Sequence, residues 1–144
     1  HMKTKIILLV SCCFCLNALT VNAQDKKERK LFNQGTVLIS PNGIFDDIAY
    51  DISKTAYDPL IIGVATGNHQ PKKMNDFVCT EGVIEIKYNS ENGIIKNGDL
   101  LTTSSEPGVA MKAIKSGMMI GIALEDATSS SGLIKTRILL QYVK

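Results

Sequence analysis

The chain has no tryptophan, and its 144 residues include 6% aromatic side chains, four prolines and two histidines, of which His1 stands as a tag remnant before the natural start at Met2. Each shortage narrows the chemistry. With no tryptophan and few rings, a carbohydrate platform of stacked aromatics has little to be built from, although a polar sugar site remains open. His69 is the one native imidazole, so a Ser-His-Asp triad would have to use it. Of the four cysteines, Cys12, Cys13 and Cys15 crowd the first apolar stretch and only Cys79 lies beyond it. One imidazole and one late cysteine fall short of the four ligands of a zinc site. There is no G-x-x-x-x-G-K-[ST] loop, no dinucleotide fingerprint and no nucleophile-elbow pattern, so the residues support no cofactor. Asp46, Asp47 and Asp51 offer oxygen ligands, but not at the D-x-D-x-D-G spacing of a calcium loop, and read as a solvated acidic patch.

The amino terminus has the order of a secretory signal. Lys3 and Lys5 form a positive start, Ile6 to Leu19 a loosely apolar stretch, and Val21-Asn22-Ala23 a small-residue cleavage site. Ser11, Asn17 and Thr20 interrupt the stretch, which is too short to span a bilayer as a helix. Leu9-Val10-Ser11-Cys12 is the rival site, with lipidation at Cys12, but it leaves only about five apolar residues before the cut against the ~7–15 expected. Cleavage after Ala23 is the stronger reading, with an exported chain beginning at Gln24 (periplasmic, cell-surface or secreted). Losing Lys3 and Lys5 takes the 16 bases to 14, equal to the 14 acids, all of which lie after Ala23. A neutral chain has no charge signature for nucleic acid. Cys79 alone then permits no intramolecular disulfide, and the expectation is a small buried hydrophobe.

Residues 24–34 are mostly charged and read as a flexible leader, with a single β domain over 35–144. Strand signals dominate that domain. Thr36 to Ile39 is a β-branched run closed by Pro41-Asn42-Gly43. Leu60 to Ala65 is a continuous apolar run broken by Gly63, as in a buried strand with close backbone approach. Val83 to Tyr88 alternates, Glu85 and Lys87 on one face and Ile84, Ile86 and Tyr88 on the other. Met118 to Leu124 and Leu133 to Val143 are the last strong runs, the latter placing Ile134, Thr136, Ile138, Leu140 and Tyr142 on one face. Tyr88 and Tyr142 are expected to be half-buried. Asn92-Gly93, Asn97-Gly98, Pro107-Gly108 and Ser131-Gly132 are turn dipeptides. One brief helix is conceivable over 45–53. The pattern predicts an all-β fold, a compact sandwich or small barrel of roughly seven to nine short strands.

The most informative segment is Asn92 to Glu125. It contains Asn92-Gly93-Ile94-Ile95-Lys96-Asn97-Gly98-Asp99-Leu100-Leu101-Thr102-Thr103-Ser104-Ser105-Glu106-Pro107-Gly108-Val109-Ala110-Met111-Lys112-Ala113, then Ile120-Gly121-Ile122-Ala123-Leu124-Glu125. The run resembles a β domain found near the C-terminal ends of bacterial exported proteins and phage tail-fibre-like proteins, which share N-G-x-I-x-x-G-D-L-L-T-T-S-x-x-P-G-x-A-M-K-A followed by I-G-x-A-L-E. Tyr57-Asp58-Pro59 and Ile62 to Gly67 extend the likeness, so that it covers Tyr57 to Leu140. The resemblance implies the fold and, in tail-fibre settings, a trimeric cap on a stalk; here the charged leader stands where those proteins carry the stalk.

Physical reading of the same run assigns Gly93, Gly98, Asp99, Pro107, Gly108 and Gly121 structural work. The glycines permit tight turns, Asp99 can bond nearby N–H groups, and a side chain at Gly121 would collide with a neighbouring strand. Thr102, Thr103, Ser104, Ser105 and Glu106 form a polar loop that, with His69 in the loop 67–73, is the candidate binding surface. The expected function is an exported, non-enzymatic structural or binding module, self-associating or adhesion-like, with a protein or glycan partner. The alternative is a secreted or envelope hydrolase, or a self-cleaving domain, using Ser104 or Ser105 with Lys112 or Lys115 as base. The Asn92-Gly93 and Asn97-Gly98 bonds are chemically labile, but as hairpin turns they need no further explanation.

Overall fold

The computed structural model describes residues 31–41, 50–68 and 76–144. These residues form nine strands and no helix. Four short strands, β1 (Val37–Ile39), β2 (Asp51–Ile52), β3 (Ile61–Ala65) and β4 (Val78–Cys79), make an antiparallel sheet in the order β2-β1-β3-β4. Thr80 alone then links β4 to a closed barrel of β5 (Glu81–Asn89), β6 (Leu100–Thr103), β7 (Ala110–Lys112), β8 (Gly117–Ala123) and β9 (Ser131–Val143). The barrel order is β5-β7-β6-β8-β9. Long antiparallel pairing from Glu81↔Leu139 to Asn89↔Ser131 forms its back wall. The contact between β5 and β7 is parallel and rests on one pair, Tyr88↔Ala110.

The sheet is buried on both faces, which is why β1 and β3 read as unbroken apolar runs rather than alternating ones. Val37, Ile61 and Val64 turn toward the barrel and join Ile86, Leu101, Ile120, Ile134 and Ile138 in one core. Leu38, Ile62, Ala65 and Val78 turn the other way, against Tyr50 and Phe77. Phe32 completes that second cluster, its ring 6.1 Å from Tyr50, while Tyr50 and Phe77 lie 5.3 Å apart. The end of the segment expected to be a free leader therefore contributes a core ring. Within 45–53, the expected helix is replaced at Asp51–Ile52 by β2, while residues 45–49 lie outside the described residues. No helix among the described residues is long and apolar enough to cross a membrane.

Alternation holds in β5, where Ile86 and Tyr88 are buried and Val83 and Glu85 exposed. In β9 it holds only as far as Leu140. Met119 pairs with Gln141 but Gly121 pairs with Ile138, so Leu139 and Leu140 together oppose Ile120. This β-bulge flips the facing of everything after it. Tyr142, expected to be half-buried on the inner face, is therefore 65% exposed. Tyr88, also expected to be half-buried, is fully interior, and its hydroxyl donates to the Ser129 carbonyl at 3.0 Å.

Gly121 sits beside that bulge. A Cβ there would lie 2.0 Å from the Arg137 carbonyl oxygen, so β8 and β9 approach more closely than any side chain allows. The collision read from the sequence is thus with the backbone of β9, which cannot swing aside. Gly121→Ala is expected to cost about 3 kcal/mol or more by forcing these strands apart. Gly93→Ala, in open space at φ +109°, should cost only about 1–2 kcal/mol of left-handed strain. Urea midpoints of the two variants measure the difference.

Candidate functional site

The hydroxyl run that the sequence placed in a surface loop is mostly interior. Thr102 and Thr103 belong to β6, and Thr102, Thr103 and Ser104 are all fully buried. A buried hydroxyl needs a partner, and each has one inside the chain. The Thr102 hydroxyl donates to the Met118 carbonyl at 2.7 Å, tying β6 to β8. The Thr103 hydroxyl donates to the Thr55 carbonyl at 2.7 Å and accepts the Asp58 N–H at 2.8 Å. The Ser104 hydroxyl donates to the Val109 carbonyl at 2.7 Å and accepts the Glu106 N–H at 3.2 Å, closing the turn into β7.

The turn itself is sewn to the sheet. Val37 N–H donates to the Gly108 carbonyl, Gly108 N–H to the Ser53 carbonyl, and Ser53 N–H to the Val37 carbonyl, all at 2.9–3.0 Å. Gly108 has φ +75°, and a Cβ there would meet Thr36 Cγ2 at 2.8 Å. The expected binding loop 102–108 thus shrinks to an exposed tip of Ser105, Glu106 and Pro107. Ser105 is held by Glu91, whose Oε1 accepts both its hydroxyl at 2.8 Å and its N–H at 3.0 Å. Glu106 Oε1 accepts from Asn89 Nδ2 at 3.0 Å.

Beside this tip lies a shallow cleft of about 250 Å³ bordered by Tyr57, Glu91, Asn92, Met111, Ile114 and Lys115. Tyr57 is its organising residue and the one described non-glycine residue with positive φ, at 55°. Its hydroxyl accepts the N–H groups of Ile114 and Lys115 at 2.8 and 3.1 Å, and the Lys115 ammonium stands 4.9 Å above its ring. Gly117 leaves room for the ring, since a Cβ there would meet Tyr57 Cδ1 at 2.8 Å. The strained backbone at Tyr57 is repaid by this latch, which fastens the segment before β3 to the β7–β8 turn.

The lysines that would serve as base to a serine are engaged elsewhere. Lys112 Nζ lies 3.6 Å from Asp99 Oδ2, and Lys115 covers Tyr57. Asp99 has the structural place expected of it: its Oδ2 accepts the Lys96 N–H at 2.8 Å, closing the Asn97-Gly98 turn. His69 lies outside the described residues, as do Asp46 and Asp47. Asp51 is in β2, 3.5 Å from Lys54 Nζ. Among the described residues, no cluster of three or more His, Cys, Asp or Glu is arranged to hold a metal. Cys79 is half-buried rather than fully buried and donates to the Glu81 carbonyl at 3.0 Å. Burial pushes its thiol above the ordinary value, and the nearby Glu81 charge adds to the rise.

Sequence spacing found Ser105 and Glu106 but missed Asn89, Glu91 and the latching role of Tyr57. Glu91 and Ser105 are 14 residues apart and meet only through the barrel closure.

Thr103→Val, close in shape, strands the Thr55 carbonyl and the Asp58 N–H and is expected to cost about 2–3 kcal/mol. Ser105→Ala, at the surface, should stay within about 0.5 kcal/mol of the parent. Chemical denaturation distinguishes the two. Iodoacetamide should modify Cys79 more slowly in the folded protein than in urea at the same pH, because a raised thiol pKa leaves less thiolate. No protein-family model and no curated protein sequence matches this chain, so the arrangement of these residues is the basis for reading its function.

Proposed function

We propose that the domain is an exported, non-enzymatic structural or binding module that works by presenting a rigid barrel surface to a partner, with self-association as its main mode. The observation that carries this reading is the disposition of the hydroxyl run. Thr102, Thr103 and Ser104 spend their hydroxyls on the chain's own backbone, and Ser105 is clamped by Glu91. The buried hydroxyls are thereby invested in the fold itself, Thr102 and Ser104 within the barrel and Thr103 between barrel and sheet. A nucleophile needs a base within hydrogen-bond reach, and Lys112 and Lys115 are each committed to another group. What the barrel offers outward instead is apolar: Val83, Ile94, Ile114, Leu133, Leu139 and Tyr142 are each about half exposed or more. Large apolar side chains at the surface of a well-packed β scaffold fit contact with another macromolecule. The trimeric cap implied by the tail-fibre resemblance is one assembly of this kind, and an adhesion-like contact with a protein or glycan is another.

The intact mass of freshly purified protein tests the reading against a self-cleaving hydrolase. The parent and Ser105→Ala should both give one uncut chain after prolonged incubation. Fragments that accumulate in the parent and vanish in Ser105→Ala would overturn the proposal and make Ser105 a nucleophile.

A further inference from the structure

The chain holds three Asn-Gly pairs. Asn42-Gly43 lies outside the described residues. Asn92-Gly93 and Asn97-Gly98 both sit in turns between β5 and β6, but at different positions of the turn. Such a pair is labile because the glycine nitrogen, with no Cβ to shield it, can attack the asparagine side-chain carbonyl carbon. In a folded chain the rate depends on how much structure breaks before that nitrogen reaches that carbon. At Asn92 two bonds stand in the way. Gly93 is the last residue of the turn from Ser90, and its N–H closes the turn on the Ser90 carbonyl at 3.0 Å. Rotating the 92–93 peptide therefore opens the turn. The half-buried side chain is pinned as well, its Nδ2 donating to the Lys112 carbonyl of β7 at 3.1 Å.

At Asn97 one bond stands in the way. Its turn runs from Lys96 to Asp99 and is closed by the Asp99 N–H on the Lys96 carbonyl at 3.0 Å. The 97–98 peptide is the middle peptide of that turn, and Gly98 alone has positive φ, at +94°, the type II arrangement. A middle peptide flips, as between types II and I, without releasing the closing bond. One sense of the flip swings the Gly98 nitrogen past the Asn97 side chain. It breaks the Gly98 N–H bond to the Ala123 carbonyl at 2.8 Å. The Asn97 N–H belongs to the preceding peptide and stays on Asp126 Oδ1 at 2.8 Å. The Asn97 side chain is exposed and makes no hydrogen bond among the described residues, so nothing holds it back.

We propose that Asn97 is a spontaneous modification site, converting to isoaspartate and aspartate ahead of Asn92. The Gly98 nitrogen gives its proton to water and bonds Asn97 Cγ. The Cγ–Nδ2 bond breaks and ammonia leaves, closing a succinimide ring. Water, the one co-reactant, then opens the ring. Addition at the Asn97 main-chain carbonyl carbon breaks its bond to the Gly98 nitrogen and leaves isoaspartate, with the main chain running through Cγ. Addition at Cγ leaves aspartate. Either product brings a new carboxylate to a turn already flanked by Asp126, which holds the N–H of residue 97, and by Asp99, which holds the N–H of Lys96. Like charges then crowd the entry to β6.

Peptide mapping by mass spectrometry, with isoaspartate resolved from aspartate, tests it. The full chain is aged at mildly alkaline pH, folded and in urea, and both sites are followed with time. In the folded protein Asn97 should convert about fivefold faster than Asn92, the factor that one additional hydrogen bond to be broken is worth. In urea the two rates should come close together, since the turns that separate them are gone. Asn97→Ser removes the reacting carbonyl and should abolish conversion at that position while Asn92 keeps its rate. Asn92 converting as fast as Asn97 in the folded protein overturns the proposal. So does a folded chain that stays intact at Asn97 while the chain in urea converts there.

Discussion

The Thr103 hydroxyl is the joint on which this fold turns. It donates to Thr55 and accepts from Asp58, in the segment leading to β3, while its own carbonyl accepts the Tyr57 N–H at 3.1 Å. One buried residue of the barrel thereby satisfies three backbone groups of the sheet segment that have no strand partner. Asp58, itself buried, turns its Oδ1 to the Leu60 N–H at 2.9 Å and continues the seam toward β3. Groups buried away from water cost more unpaired than they return when paired. The seam therefore selects one docking of sheet on barrel rather than adding general cohesion. The Val37–Gly108–Ser53 ring of backbone bonds and the Tyr57 latch fix the same docking from two further points.

That seam explains what could be read from the sequence and what could not. Local patterns sufficed where a single strand decided its own facing. Ile84, Ile86 and Tyr88 alternate because β5 has one face inward, and the glycine in Leu60 to Ala65 marked a close approach that is real: a Cβ at Gly63 would stand 2.5 Å from the Cys79 carbonyl. The all-β class followed from these runs and from the turn dipeptides between them. Facing in the last third of β9 was illegible because its bulge answers to the shorter register of β8, not to anything in β9 itself. Thr102 to Ser105 looked like a loop because hydroxyl residues before Pro-Gly are polar by composition. The burial of Thr102, Thr103 and Ser104 depends on carbonyls up to 48 residues away in sequence. A polar run is a surface feature only when no such partners exist, and one sequence does not reveal distant partners.

The same distinction separates the two places where function was sought. At the Ser105–Pro107 tip, Asn89 and Glu91 meet the loop's polar groups, and Tyr57 and Lys115 brace the adjoining cleft. A ligand there would have to replace bonds already made within the chain, which is a poor basis for affinity. On the β5–β9 wall nothing has to be displaced. Its backbone is paired along nine residues of each strand, so the side chains stand on a rigid base.

Barrel closure is what gives the wall that character. An open sheet would leave an edge to pair with any passing strand, and recognition through an edge is carried by main-chain bonds that every sequence shares. Closing β5 against β9 removes that route and leaves side-chain identity and register to carry specificity. A one-residue slip of β9 against β5 would turn Lys135 and Arg137 inward and bring Ile134, Thr136 and Ile138 out to the surface. The internal packing of Ile134 and Ile138 thus holds the external side-chain pattern in place: the core that stabilises the barrel also fixes the spacing of its outer rows.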